Sequence, residues 1–128
     1  MSKVLIVDDH ATNIRILTRQ LQLWGMEVAS AESGTAALAW LEQAGDPSAP
    51  DARLPDIIIT DMHMPEMDGF TLTRNIKQDA RFHGLPVVIH SSLSGSANED
   101  HVRSVGADGY VAKFVAEDLA QTLRQVLP

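Results

Sequence analysis

Asp8 and Asp9, Asp61, Ser91 and Lys113 are the residues whose types, taken together, could do chemistry in this chain. Each stands at the end of a short run rich in apolar residues: Val4-Leu5-Ile6-Val7 before the acid pair, Ile57-Ile58-Ile59-Thr60 before Asp61, Val87-Val88-Ile89-His90 before Ser91, and Tyr110-Val111-Ala112 before Lys113. Three acids, a hydroxyl and an ammonium suit phosphoryl transfer. Asp61 supplies an oxygen nucleophile that needs no general base, because a carboxylate is already ionised at neutral pH. Mg²⁺ takes octahedral oxygen ligands and keeps several waters, so Asp9, with Asp8 acting through water, suits that ion. Lys113 can stabilise one equatorial oxygen of the transferring group, and Ser91 can donate a hydrogen bond to another. The product of such a site is an aspartyl phosphate.

Residues so far apart in the chain can meet only if their strands run side by side in one direction. The stretch from Asp56 to Gly69 carries the clearest signal: consecutive β-branched residues read as a buried parallel strand, and Asp61 marks where it must stop, since a carboxylate is rarely buried alone. Pro65 and Asp68-Gly69 then turn the chain into a helix carrying Leu72 and Ile76. Ahead of it, residues 4–7 form a strand, Thr12 caps a helix with Ile14, Leu17, Leu21 and Trp24 on its inner stripe, and Gly25 ends that helix. Residues 26–30 form a second strand, and Ser33 caps a second helix, running to about Ala44 with Ala37, Leu38 and Leu41 inward. Residues 45–55 make one long loop of Gly, Pro, Asp and Ser character. Residues 87–89 restart the sheet, a weak helix covers about 99–105, residues 110–112 form a fifth strand, and a last helix spans 117–127 with Leu119, Leu123, Val126 and Leu127 on one stripe. Five strand-helix alternations predict an α/β fold: a flavodoxin-like (βα)5 three-layer sandwich whose five-stranded parallel sheet has order 2-1-3-4-5. All the strand ends named above then meet at one rim.

The 128 residues, 45% of them hydrophobic, suit one domain over 1–128, long enough to bury roughly two thirds of its unfolded surface. A net charge of −7, with the ten basic residues scattered, argues against a nucleic-acid partner. Without cysteine there is no disulfide framework, thiolate metal site or thiol catalysis. The first apolar run is too short for a signal peptide, and nothing approaches the ~20 apolar residues that cross a bilayer, so a cytoplasmic chain with no membrane partner is expected. The five histidines show no paired spacing on a helix face, which argues against histidine metal ligation.

Leu5-Ile6-Val7-Asp8-Asp9, the run from Asp61 to Gly69, Pro86-Val87-Val88-Ile89-His90-Ser91-Ser92 and the run from Gly106 to Lys113 resemble the signature segments of bacterial response-regulator receiver domains. The resemblance covers the whole chain. It implies phosphorylation of Asp61 by a phosphohistidine on a sensor histidine kinase or phosphotransfer domain. It also implies Mg²⁺ held by Asp8, Asp9, Asp61 and the backbone carbonyl of His63, and a switch made by Ser91 and Tyr110. Phosphorylation then biases a surface of the fourth helix, fifth strand and fifth helix toward an output partner, in a monomer or a weak phosphorylation-dependent dimer. Such a protein catalyses only its own phosphorylation and dephosphorylation.

Two positions depart from the common receiver pattern: Phe114 follows Lys113 where a proline is usual, and Ser91 replaces the commoner threonine. A cis bond before a non-proline residue costs ~2.5–4 kcal/mol, which favours trans between Lys113 and Phe114. His90-Ser91-Ser92-Leu93-Ser94-Gly95, the ending Tyr110-Val111-Ala112-Lys113-Phe114 and the 45–55 loop look like receivers of CheV-type chemotaxis couplers, whereas Thr12-Asn13-Ile14-Arg15-Ile16-Leu17 looks more like receivers of hybrid sensor kinases. That mixture suggests a receiver excised from a coupler, or a sequence of engineered or mixed ancestry.

Plainer readings exist for each residue. The acid pair could be a solvated turn, Lys113 a surface lysine, Ser91 a cap, Tyr110 a half-buried strand aromatic, and Trp24 and Trp40 helix-packing residues; their joint placement favours the site. His63 and Leu93, two residues past Asp61 and Ser91, are expected to line its mouth. A haloacid-dehalogenase-like phosphohydrolase would need a second acid where His63 stands, and a flavin phosphate would be repelled by Asp8-Asp9-His10. A degenerate receiver that binds without phosphorylation is a further alternative.

Overall fold

In a computed structural model of the chain, the apolar runs become β1 (Lys3–Val7), β2 (Glu27–Ala31), β3 (Ile57–Asp61), β4 (Val87–Ser91) and β5 (Gly109–Ala112). Between and after them come α1 (Ala11–Leu23), α2 (Gly34–Ala44), α3 (Gly69–Gln78), α4 (Ser96–Ser104) and α5 (Ala116–Val126). The structure describes residues 2–48, 53–91, 96–113 and 115–127, the side chains of 96–99 excepted. The strands pair in parallel in the order β2-β1-β3-β4-β5, the flavodoxin-like (βα)5 arrangement expected from the alternation.

Strand pleating sends alternate residues to opposite faces, and both faces are covered. Leu5, Val7, Ile58 and Val87 pack with Leu41, Leu72, Ile76 and Phe82 on the α2/α3 side. Val4, Ile6, Ile57, Ile59, Val88 and Val111 pack with Leu17, Leu21, Leu119 and Leu123 on the α1/α5 side. Each fully buried aliphatic side chain contributes about 1.5–3 kcal/mol, so the three isoleucines of β3 hold it firmly at the sheet's centre. A slip of one residue would reverse every side chain, and the register that delivers Asp61 to the rim is thereby specified.

Polar ties set the remaining elements. Ser33 caps α2 by accepting from the Ala36 amide, as anticipated, and Asp68 caps α3 by accepting from Thr71. Lys77 Nζ donates to Leu85 O and to Asp108 Oδ2, both at 2.8 Å, and the same Asp108 oxygen accepts from Val87 N at 2.8 Å. Those bonds lock α3 to the start of β4 and to the turn before β5.

Several local expectations are corrected. Thr12 does not cap α1: the helix starts at Ala11 with His10 at the N-cap position, and the Thr12 hydroxyl accepts from Arg15 instead. Trp24 is 37% exposed rather than inward, because α1 ends at Leu23 and Gly25, at φ +80°, turns the chain away. The helix expected over 99–105 begins earlier, at Ser96. Residues 49–52 of the long loop, Leu93, and the peptide between Lys113 and Phe114 lie outside the described residues. Among the described residues, no helix is long and apolar enough to cross a membrane.

Candidate functional site

Two carboxylates end buried strands here, and each needs a partner. Asp8 is 1% exposed and Asp61 5%. Lys113, just past β5, reaches back between them: its Nζ lies 3.0 Å from Asp61 Oδ1 and 3.5 Å from Asp8 Oδ2. The Lys113 amide donates to Ser91 O at 2.7 Å, so the β4–β5 ladder continues one step and aims the lysine across the rim. Asp9 and His10 are more exposed and stand over the same point, with His10 Nδ1 2.9 Å from Asp9 Oδ1 and 3.4 Å from Asp8 Oδ1.

Burial raises the proton affinity of Asp61, and the neighbouring charge of Asp8 adds to this; the hydrogen bond and charge of Lys113 and the Met62 amide act against them. His90, the register partner of Asp61 on β4, is buried, and its Nδ1 has no hydrogen-bond partner among the described residues. Burial, then the charge of Lys113, pulls its pKa down to about 4, so the imidazole is neutral at pH 7; the Asp8 charge opposes this.

The donor set fits a divalent cation. Asp8, Asp9, His10 and Asp61 each offer one ligand atom within 4.8 Å of the others. Asp8 Oδ2, fully enclosed, accepts no hydrogen bond among the described residues. Two buried acids with a single lysine between them leave a charge deficit that such an ion removes.

Ser91 closes β4 one residue beyond the Asp61–His90 pair and is buried. Ser91 and Tyr110 share the α3/α4 face: Tyr110 pairs with Ile89, two residues from Ser91, and packs with Met62, Ile89 and Val102. His63 is exposed beside a shallow hollow with Met64, Pro65 and Asp68. A larger hollow, about 460 Å³, opens at the opposite end of the sheet between Trp24, Met26, Leu123 and Leu127. Charge, not volume, marks the site.

Three participants escaped the sequence reading. His10 belongs to no paired histidine spacing on a helix, yet it directly follows the acid pair and joins the cluster. His90 interrupts an apolar strand, which was a visible signal of a buried polar group. Gly69 is required because a Cβ there would collide with the backbone carbonyl of Asp61, while its amide donates to Met62 O at 2.9 Å.

Residues 4–124 match the family described as response regulator receiver domain. The chain is 32% identical over 128 residues to protein PilH of Pseudomonas aeruginosa, covering 99% of this chain and 98% of that protein. It is also 32% identical over 124 residues to chemotaxis protein CheV1 of Helicobacter pylori, covering 97% of this chain and 37% of that one. The equal identities do not single out CheV-type receivers. Two further curated relatives are likewise longer, the chain spanning 45% and 40% of their lengths. Among solved structures, chemotaxis protein CheY4 of Vibrio cholerae superposes with a TM-score of 0.85 at 30% identity, over 99% of both chains.

Proposed function

The chain belongs to the response-regulator receiver family, and from that premise we propose that residues 1–128 form one receiver domain accepting a phosphoryl group on Asp61 from a phosphohistidine of a sensor kinase or phosphotransfer domain. A carboxylate oxygen of Asp61 attacks phosphorus as the phosphorus–nitrogen bond breaks. The imidazole leaves with that electron pair, and an aspartyl phosphate remains on this chain. The observation that carries the reading is Lys113 Nζ at 3.0 Å from Asp61 and 3.5 Å from Asp8, since three strand ends converge on one point.

Lys113 favours the ionised form of Asp61 before transfer and pairs with an equatorial oxygen during it. Ser91 donates a hydrogen bond to another of those oxygens. Asp8, Asp9 and Asp61, with the His63 backbone carbonyl, would hold Mg²⁺, which would offset charge on the transferring group. Ser91 and Tyr110, on one face, form the switch, and the α4-β5-α5 surface presents the result to an output partner. The catalysis is confined to the chain's own phosphorylation and dephosphorylation. Chemotaxis is the context we favour, on the names of CheV1 and CheY4.

Incubation with acetyl phosphate and Mg²⁺, followed by intact mass spectrometry, tests this. One labile phosphoryl group is expected on the wild type and none on Asp61→Asn. An unlabelled wild type overturns the phosphoacceptor reading and leaves a receiver that binds without phosphorylation.

A further inference from the structure

His10 brings a nitrogen donor into an otherwise oxygen-lined cluster. Two donor atoms, each about 2.1 Å from one ion, lie about 3.0 Å apart at a right angle and about 3.4 Å apart at the tetrahedral angle. The spacings from His10 Nδ1, 2.9 Å to Asp9 Oδ1 and 3.4 Å to Asp8 Oδ1, are of that size. The turn that sets them is fixed by the His10 amide, which donates to Asp8 Oδ1 at 2.8 Å.

A separate feature points to a ligand. Asp8 is 1% exposed, and its Oδ2 accepts no hydrogen bond among the described residues. Among the described residues the Lys113 ammonium stands 3.5 Å from that oxygen but is shared with Asp61 at 3.0 Å, so a cation in the cluster relieves the charge that one lysine leaves on two buried carboxylates.

We infer that Nδ1 of His10 makes this a mixed nitrogen and oxygen centre that takes first-row transition ions such as Ni²⁺, Cu²⁺ or Zn²⁺, in competition with Mg²⁺. The inference rests on the cation site proposed above and adds a selectivity to it. Imidazole suits nickel, copper and zinc, whereas Mg²⁺ prefers oxygen and gains little from a nitrogen donor. Which ion occupies the phosphoacceptor pocket then depends on metal availability as well as on affinity.

The test uses the full chain without an affinity tag, stripped of metal, with Ni²⁺ and Mg²⁺ titrated separately by calorimetry into wild type, His10→Ala and His10→Gln. Nitrogen coupling to bound Cu²⁺ is read by electron paramagnetic resonance. Ni²⁺ is expected to bind wild type at least about tenfold more tightly than Mg²⁺ and to be displaced by excess Mg²⁺. Both variants should lose about tenfold or more in Ni²⁺ affinity, along with the nitrogen coupling, while Mg²⁺ affinity stays within about twofold. Equal Ni²⁺ affinity in wild type and variants, or coupling that survives His10→Ala, overturns the inference: His10 then merely pairs with Asp9. If Mg²⁺ still binds in that case, the receiver reading stands. Failure of both ions to bind wild type overturns the inference and the proposed cation site together.

Discussion

The α-carbon of Gly69 sits so close to the backbone carbonyl oxygen of Asp61 that no β-carbon fits between them. The first turn of α3 is thus pressed against the end of β3, and the Gly69 amide donates to Met62 O at 2.9 Å. Gly69→Ala must push α3 away from the strand end that carries the acceptor. A loss of about 1–3 kcal/mol is expected in denaturant unfolding, together with slower labelling of Asp61 by acetyl phosphate. Unchanged stability and labelling would show that the contact relaxes freely.

The raised proton affinity of Asp61, caused first by burial, makes its charged form a cost to the fold at neutral pH. For a carboxyl shifted upward, the stabilising contribution is present below the unfolded value of 3.8 and is lost as pH rises through the folded value. Asp61→Asn should therefore melt higher than wild type at pH 7, with the gain shrinking as pH falls. Thermal melts from pH 7 downward check it, and a lower melting temperature at pH 7 would contradict it.

His90 works in the opposite direction. Its folded pKa of about 4 lies below the ordinary 6.5, so the unfolded chain takes up a proton first. Stability falls as pH drops from about 6.5 to about 4, by on the order of 3 kcal/mol from this residue. His90→Leu removes that loss, and the variant's stability relative to wild type should rise over the same window. Parallel pH profiles for the two proteins would refute the assignment.

Mg²⁺ should raise the wild-type melting temperature, because an ion bound only by the folded state adds its binding energy to stability. In the double variant Asp8→Asn/Asp9→Asn the response to Mg²⁺ should disappear. Differential scanning calorimetry with and without the ion measures both, and an unresponsive wild type counts against a cation at Asp8, Asp9 and Asp61.

The alternation of apolar runs and amphipathic stretches by itself determined the fold. Isoleucines 57, 58 and 59 could be stable only in a central strand covered on both faces. Parallel strands all end at one edge, so Asp8, Asp61 and Lys113 had to approach one another, and their ion pairs follow from topology. Those statements need only chain-local pattern and strand direction, and both are written in the residue order.

The tertiary structure alone decided where side chains point once they reach the rim. His10 stays largely exposed, yet the turn held by Asp8 Oδ1 brings its Nδ1 edge onto the acids. His90 is buried because pleat parity places it on the α1/α5 face beside Asp61, and its lowered pKa follows from that enclosure. Trp24 reads as inward on a helical wheel, yet the wheel cannot show that α1 ends before it. Proton affinity, metal-donor spacing and the closeness of Gly69 to Asp61 are all set by distances of a few ångströms between elements remote in the chain. Local sequence pattern specifies which elements form; packing between them specifies those distances.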